Sequence, residues 1–221
     1  MFILPQRGKI SQSKYTYNII LCTTDLEQDK ILCDIAEQND ILFYQGDELN
    51  KSKRWYEACQ EFDIDFFVTA DGDDLFYDSK LADLVFKQYE KTNADFINGR
   101  GFYVDIYGIK NSALTSMRKS ISKDIKETEP YDLELWFNTS QLGHQLYKIQ
   151  KLKGVPSLYE KKQIRMTLDY EDDFKFFKNV IEHFDGKKFG LHDIIYYIDN
   201  NPSVKDINKY LEIERKANQK K

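Results

Sequence analysis

The run Phe66-Phe67-Val68-Thr69-Ala70-Asp71-Gly72-Asp73-Asp74 constrains this chain more than any other stretch. Its five apolar or β-branched residues predict a strand buried on both faces, and that strand runs straight into three carboxylates with one glycine between them. Open α/β sheets place ligands at the carboxyl ends of such strands. Three acids this close repel one another, and a divalent cation bound by oxygen ligands relieves the repulsion. Asp71 to Asp74 therefore read as a metal and phosphate site; a solvated Asp-Gly turn is the plainer alternative.

The segments before this run alternate in period. Ile19 to Cys22 reads as a buried strand, and Thr23-Thr24-Asp25 supplies N-caps for a helix with Ile31, Leu32, Ile35 and Ala36 on one face. Ile41 to Tyr44 is the next strand. A helix follows with Trp55, Ala58, Cys59 and Phe62 at i, i+3, i+4, i+7 spacing. This order predicts an α/β fold: three layers, with a mainly parallel sheet and helices on both faces. Downstream, Ser79 to Asn93 is helical in pattern, Asp95 to Asn98 is a short strand, and Phe102 to Ile109 alternates as a strand. Asn111 to Arg118 is helical, with a further helix near Asp132 to Phe137 and a strand near Gln145 to Ile149. Gln163 to Leu168 is a strand ending in Asp169, which opens a helix with Phe174, Phe177, Ile181 and Phe184 on one face. Two helices follow, over Leu191 to Asp199 and Pro202 to Ala217.

Composition narrows the classes. With 41% apolar and 14% aromatic residues but only 4 Pro and 10 Gly, the chain is globular and has little linker. A net charge of -5 without a basic stripe excludes a general nucleic-acid binder. Cys22, Cys33 and Cys59 lack metal-ligand spacing and read as reduced core residues. Neither a secretory leader nor a membrane span is visible, so the expectation is a soluble, cytoplasmic protein. The 221 residues suit one domain, with an irregular section at about 99–159 and a C-terminal helical appendage at about 190–221.

Four segments carry a family resemblance: Ile20-Leu21-Cys22-Thr23-Thr24; Phe43-Tyr44-Gln45-Gly46 with Arg54-Trp55-Tyr56-Glu57-Ala58; Ala70-Asp71-Gly72-Asp73-Asp74-Leu75 with Asp78; and Arg165 to Phe174. In this order they resemble the cytidylyltransferases of the spore-coat polysaccharide type and, more distantly, the 3-deoxy-manno-octulosonate and acylneuraminate cytidylyltransferases. The resemblance implies a nucleotide-diphospho-sugar transferase-like fold and transfer of CMP from CTP to a sugar or sugar acid, with release of pyrophosphate. It implies Mg²⁺ held by Asp73 and Asp169 as the catalytic carboxylates, nucleotide contacts from Asp71, Gly72 and Arg54, and acceptor contacts from Asp105 and Arg165. It also implies a homodimer. The family opens with a glycine-rich basic loop that cradles the triphosphate. The nearest match here is Leu4-Pro5-Gln6-Arg7-Gly8-Lys9, so Arg7 and Lys9 stand as its two cations and the loop is expected to be missing or reduced.

In-line phosphoryl displacement relies on positioning and charge neutralisation more than on a covalent nucleophile, and no Ser/His/Asp or Cys/His constellation is visible. Two alternatives stay open. Asp71-Gly72-Asp73 also satisfies the Asp-x-Asp pattern of nucleotide-sugar glycosyltransferases, and a reduced loop fits a non-catalytic nucleotide- or sugar-binding relative. His144, His183 and His192 share no ligand spacing, and Trp55 and Trp136 read as core or interface. Glu171, Asp172 and Asp173 fit a helix first turn, where the dipole favours acids. Lys51, Lys53 and Arg54 read as a solvated helix start, with Arg54 the one that reaches phosphate.

Overall fold

Residues 19–120, 147–160 and 164–211 are described in the computed structural model. Strand β1 (Ile20–Thr24) pairs in parallel with β2 (Leu42–Gly46), Ile20 opposite Leu42 and Thr24 opposite Gly46. Parallel neighbours need a crossover, and helix α1 (Lys30–Gln38) supplies it. Its inner face carries Cys33 and Ala36, whereas Ile31, expected inward, is exposed. Helix α2 (Lys51–Glu61) follows, capped by Asn50, whose side chain accepts from the Lys53 N–H. It buries Ala58 and Cys59 as the spacing requires.

The central sheet contains β3 (Phe66–Val68), β4 (Phe96–Gly99), β5 (Ile106–Lys110) and β6 (Ile149–Lys151) in the order β3-β5-β4-β6. The α/β class is as expected. Parallel pairing joins β4 to β6, while β5 runs antiparallel to both β3 and β4, so this sheet is mixed. The reason is the short 100–105 connection, which permits only an antiparallel return from β4 to β5. β3 was expected to be buried on both faces. It lies at the end of the described sheet, and all three of its residues are half-buried.

Two further strands differ from expectation. Of Phe102 to Ile109 only the second half joins the ladder, because Gly101 turns the chain at φ +99° and Phe102 makes an isolated bridge to Glu160. Residues 164–168 are extended but belong to no ladder. Their backbone groups are satisfied elsewhere: the Arg165 carbonyl accepts from Asn208 Nδ2, and the Leu168 N–H donates to the Asp73 carbonyl. The helix expected near Asp132 to Phe137 and the start of the strand near Gln145 lie outside the described residues. β5, helix α4 (Asn111–Ser120) and β6 show that part of the 99–159 section is regular and contributes to the central sheet.

Helix α3 (Ser79–Thr92) starts at Asp78, which accepts from the Lys80 N–H, and stops at Asn93 in the left-handed region at φ +48°. It lies on β5 at Gly108, where an added Cβ would come within 2.4 Å of Val85 Cγ1 and 2.7 Å of Phe66 Cζ. Helices α5 (Glu171–His183), α6 (Leu191–Asn200) and α7 (Pro202–Asp206) complete the described elements. Leu191, Ile194, Ile195, Ile198 and Val204 share one core with Leu81, Val85, Ile97, Ile106 and Phe177. The C-terminal helices are thus built into the main core and do not form an appendage. A smaller cluster of Phe96, Tyr107, Ile109, Leu114 and Met117 lies under α4.

The contact at Gly108 sets the distance between α3 and the sheet. Gly108→Ala is therefore expected to destabilise the chain by about 1–3 kcal/mol through overpacking, with a lower midpoint in urea unfolding.

Candidate functional site

The three carboxylates after β3 lie in a turn in which the Asp74 N–H donates to the Asp71 carbonyl at 3.2 Å and the Tyr77 N–H to the Asp74 carbonyl at 3.1 Å. The 164–169 segment docks against this turn. Leu168 N–H reaches the Asp73 carbonyl at 3.1 Å, and Thr167 Oγ1 donates to Asp73 Oδ2 at 2.8 Å. The hydrogen bonds that hold Asp73 therefore come from the two residues preceding Asp169. The segment that carries Asp169 thus docks on the turn that carries Asp73, nearly a hundred positions earlier in sequence.

A buried ion pair braces Asp169. Arg165, 1% exposed in its side chain, and Asp173, 0% exposed, form a bidentate pair: Nε to Oδ1 at 2.8 Å and Nη2 to Oδ2 at 2.9 Å. Arg165 Nη2 also donates to Asp169 Oδ2. Asp173 Oδ2 accepts the backbone N–H groups of Asp169 and Tyr170, each at 3.1 Å, and so caps the start of α5. Asn208 Nδ2 adds a fifth donor at 2.8 Å. Burial opposes ionisation of Asp173, but the hydrogen bonds from Arg165, the Asp169 N–H and Asn208 outweigh it and hold its carboxyl below the usual range. The Asp169 side chain is 45% exposed, so its carboxylate is anchored yet open to solvent. Arg165, expected at the acceptor, is enclosed and engaged with these two acids; it orients Asp169. Asp173, expected as an acid of the helix first turn, lies there and is fully buried.

The other expected residues divide. Asp71 pairs with Lys51 Nζ at 2.6 Å, and Lys51 also lies 5.5 Å above the Trp55 ring. Lys51 read as a solvated helix start, so sequence reasoning missed it; its position as the first residue of a helix facing an acidic turn was the available signal. Arg54 is buried, and its Nη1 donates to the Asp47 and Glu48 carbonyls at 2.6 and 2.9 Å, closing the loop between β2 and α2. Arg118 joins this corner from α4, with Nη1 at 3.2 Å from Ser52 Oγ and its guanidinium over Tyr56. Gly72 is exposed, and an added Cβ there would meet nothing within 4 Å. Asp105 lies in the loop before β5 and accepts from the Gly101 N–H at 3.3 Å. Arg7 and Lys9 lie outside the described residues.

Burial pushes the Cys22 thiol up to about 11 and the Cys59 thiol up to about 12, so neither serves as a thiolate nucleophile near neutral pH. Among the described residues no group of three or more His, Cys, Asp or Glu gathers as a metal site. The donor set at Asp73 and Asp169 suits a hard cation that takes one or two carboxylates and fills its remaining positions with water and phosphate oxygens, which is the habit of Mg²⁺. No helix among the described residues is long and apolar enough to cross a membrane.

No protein-family model matches the chain. A curated relative, the uncharacterized protein MJ1063 of Methanocaldococcus jannaschii, is 25% identical over 201 residues, which span 90% of this chain and 80% of the relative. Three solved structures share the fold. A cytidylyltransferase from Leptospira borgpetersenii superposes with a TM-score of 0.77 at 24% identity, over 93% of this chain and 85% of that one. The 4-diphosphocytidyl-2C-methyl-D-erythritol synthase of Anaerococcus prevotii gives 0.58 at 15% identity, over 82% and 89%. CMP:2-keto-3-deoxy-manno-octonic acid synthetase, complexed with CTP, gives 0.50 at 8% identity, over 68% and 77%. The α/β architecture of this chain is therefore the fold that these three structures share.

The depressed carboxyl of Asp173 links stability to pH. Its contribution is complete above the ordinary carboxylate pKa of about 4 and is lost as pH falls through the lower folded value. Asp173→Asn is expected to cost about 3 kcal/mol at pH 7, because it leaves the Arg165 charge under-compensated, and the gap from wild type should narrow in urea unfolding at pH 3.

Proposed function

We propose that this chain is a Mg²⁺-dependent cytidylyltransferase that transfers CMP from CTP to a hydroxyl of a sugar or sugar acid and releases pyrophosphate, in surface polysaccharide or glycan biosynthesis. One observation carries this reading: the Thr167-Leu168 hydrogen bonds onto Asp73 put Asp169 beside the acidic turn. The fold shared with the Leptospira borgpetersenii cytidylyltransferase supports it.

In the reaction, the acceptor oxygen forms a bond to the α-phosphorus of CTP as the bond to the pyrophosphate oxygen breaks. Asp73 and Asp169 would hold Mg²⁺, which when bound would supply neutralisation of the charge that develops on the phosphates. Asp71 orients Lys51, whose ammonium supplies a further positive charge beside the turn. Gly72 lets the nucleotide approach the backbone, and Arg54 keeps the loop leading into α2 in place. Arg7 and Lys9 contribute cations toward the phosphates, and Asp105 contacts the acceptor. The protein acts in the cytoplasm as a homodimer, which light scattering of the purified chain tests directly.

Calorimetric titration of CTP with and without Mg²⁺ tests the reading. Mg²⁺-dependent binding is expected in wild type and is abolished by Asp73→Ala and by Asp169→Ala. Sugar transfer from a nucleotide donor without pyrophosphate release would favour a glycosyltransferase instead, and absence of nucleotide binding would favour a non-catalytic relative. Gly72→Ala adds a sharper check. Stability should stay within about 0.5 kcal/mol of wild type, since the methyl meets nothing in the folded chain, while CTP affinity falls.

A further inference from the structure

Asn208 lies just beyond α7, well outside every segment that suggests chemistry, yet it is 0% exposed. Its Nδ2 donates to Asp173 Oδ1 at 2.8 Å and to the Arg165 carbonyl at 3.2 Å. Both neighbours are acceptors, so only the nitrogen end of the amide can face them. Its Oδ1 has no hydrogen-bond partner among the described residues. The amide therefore spends its donor end on this pair, and its acceptor end is left without a return.

Resting on the nucleotidyltransferase reading, we propose that Asn208 is a positioning residue for the metal site: it locks the Asp173–Arg165 pair, which in turn aims the Asp169 carboxylate. The amide ties together the two members of that pair, one through its side chain and the other through its backbone. With both fixed, Arg165 Nη2 has one orientation, and this Nη2 is the donor that holds Asp169 Oδ2. Released from Asn208, the guanidinium and the Asp173 carboxylate can swivel together, and Asp169 loses its fixed direction without losing its partner. Partners of metal-binding carboxylates commonly act this way. The C-terminal helices thereby reach the site, through one amide that sits in the turn after α7.

Asn208→Leu separates positioning from folding, because it removes the donor and the unpartnered acceptor together while keeping the bulk. Asn208→Ser, smaller than the native side chain, serves where leucine fails to fit. The probe is Mn²⁺ titrated into the full chain saturated with CTP and followed by electron paramagnetic resonance, alongside the thermal midpoint. Expected are a folded variant, with a melting temperature somewhat below that of wild type because the Asp173 carboxylate loses one donor, and Mn²⁺ affinity weaker by about tenfold or more. A lower kcat with unchanged KM for CTP should accompany it. Wild-type Mn²⁺ affinity in a folded Asn208 variant overturns this proposal alone. A wild-type chain that takes up no Mn²⁺ with CTP, and that Asp169→Ala leaves unchanged, overturns the nucleotidyltransferase reading and this proposal with it.

Discussion

The bidentate pair of Arg165 and Asp173 is the interaction on which the site depends. It substitutes for the sheet hydrogen bonds that the 164–168 segment lacks, and it joins that segment to the first turn of α5. Its environment explains why it holds. Both side chains are enclosed, so the pair is little screened, and the five donors around Asp173 satisfy a carboxylate that burial would otherwise neutralise. Removing any one partner leaves a buried charge short of compensation. That is a stringent arrangement, and it fits a segment whose purpose is to hold one carboxylate at the surface with a defined aim.

Charge is organised around the acidic turn in the same manner. Lys51 answers Asp71, Thr167 answers Asp73, and Arg165 answers Asp169. Lys51 comes from α2 and both Thr167 and Arg165 from the 164–169 segment, so the carboxylates that a cation would share are pre-oriented by these two parts of the chain. Pre-orientation of this kind lowers the reorganisation needed when a charged ligand arrives.

Much of this was legible in the sequence. The period of apolar residues located β1, α1, α2, α3, α5 and α6, but it put Phe174 and Ile181 on the inner face of α5, where both are exposed and Phe176, Phe177 and Val180 are buried instead. The acidic turn and Asp169 were legible as strand-end carboxylates. Four features were not. The 164–168 segment has a strand's composition, but its donors and acceptors are taken by Asp73 and Asn208, a tertiary fact with no local mark. The antiparallel placing of β5 depends on the brevity of the 100–105 loop. Arg165 looks like a ligand contact in sequence because an arginine among acids carries no sign of whether it faces in or out. Asn208 gave no signal at all: a lone asparagine in a polar helix pattern reads as surface.

The contact of Asp73 with Thr167 closes a loop of 94 residues. Such long-range closures carry the largest chain-entropy cost and form late, after local helices and neighbouring strands have condensed. During synthesis on the ribosome, moreover, the acidic turn emerges long before Thr167, Asp173 and Asn208. Until those residues appear, Lys51 is present to answer Asp71, but Asp73 is without the Thr167 hydroxyl that later restrains it. The juxtaposition of the acidic turn with the 164–169 segment is therefore a property of the completed chain, and a nascent polypeptide that has exposed only its first half carries the turn without the segment that docks on it.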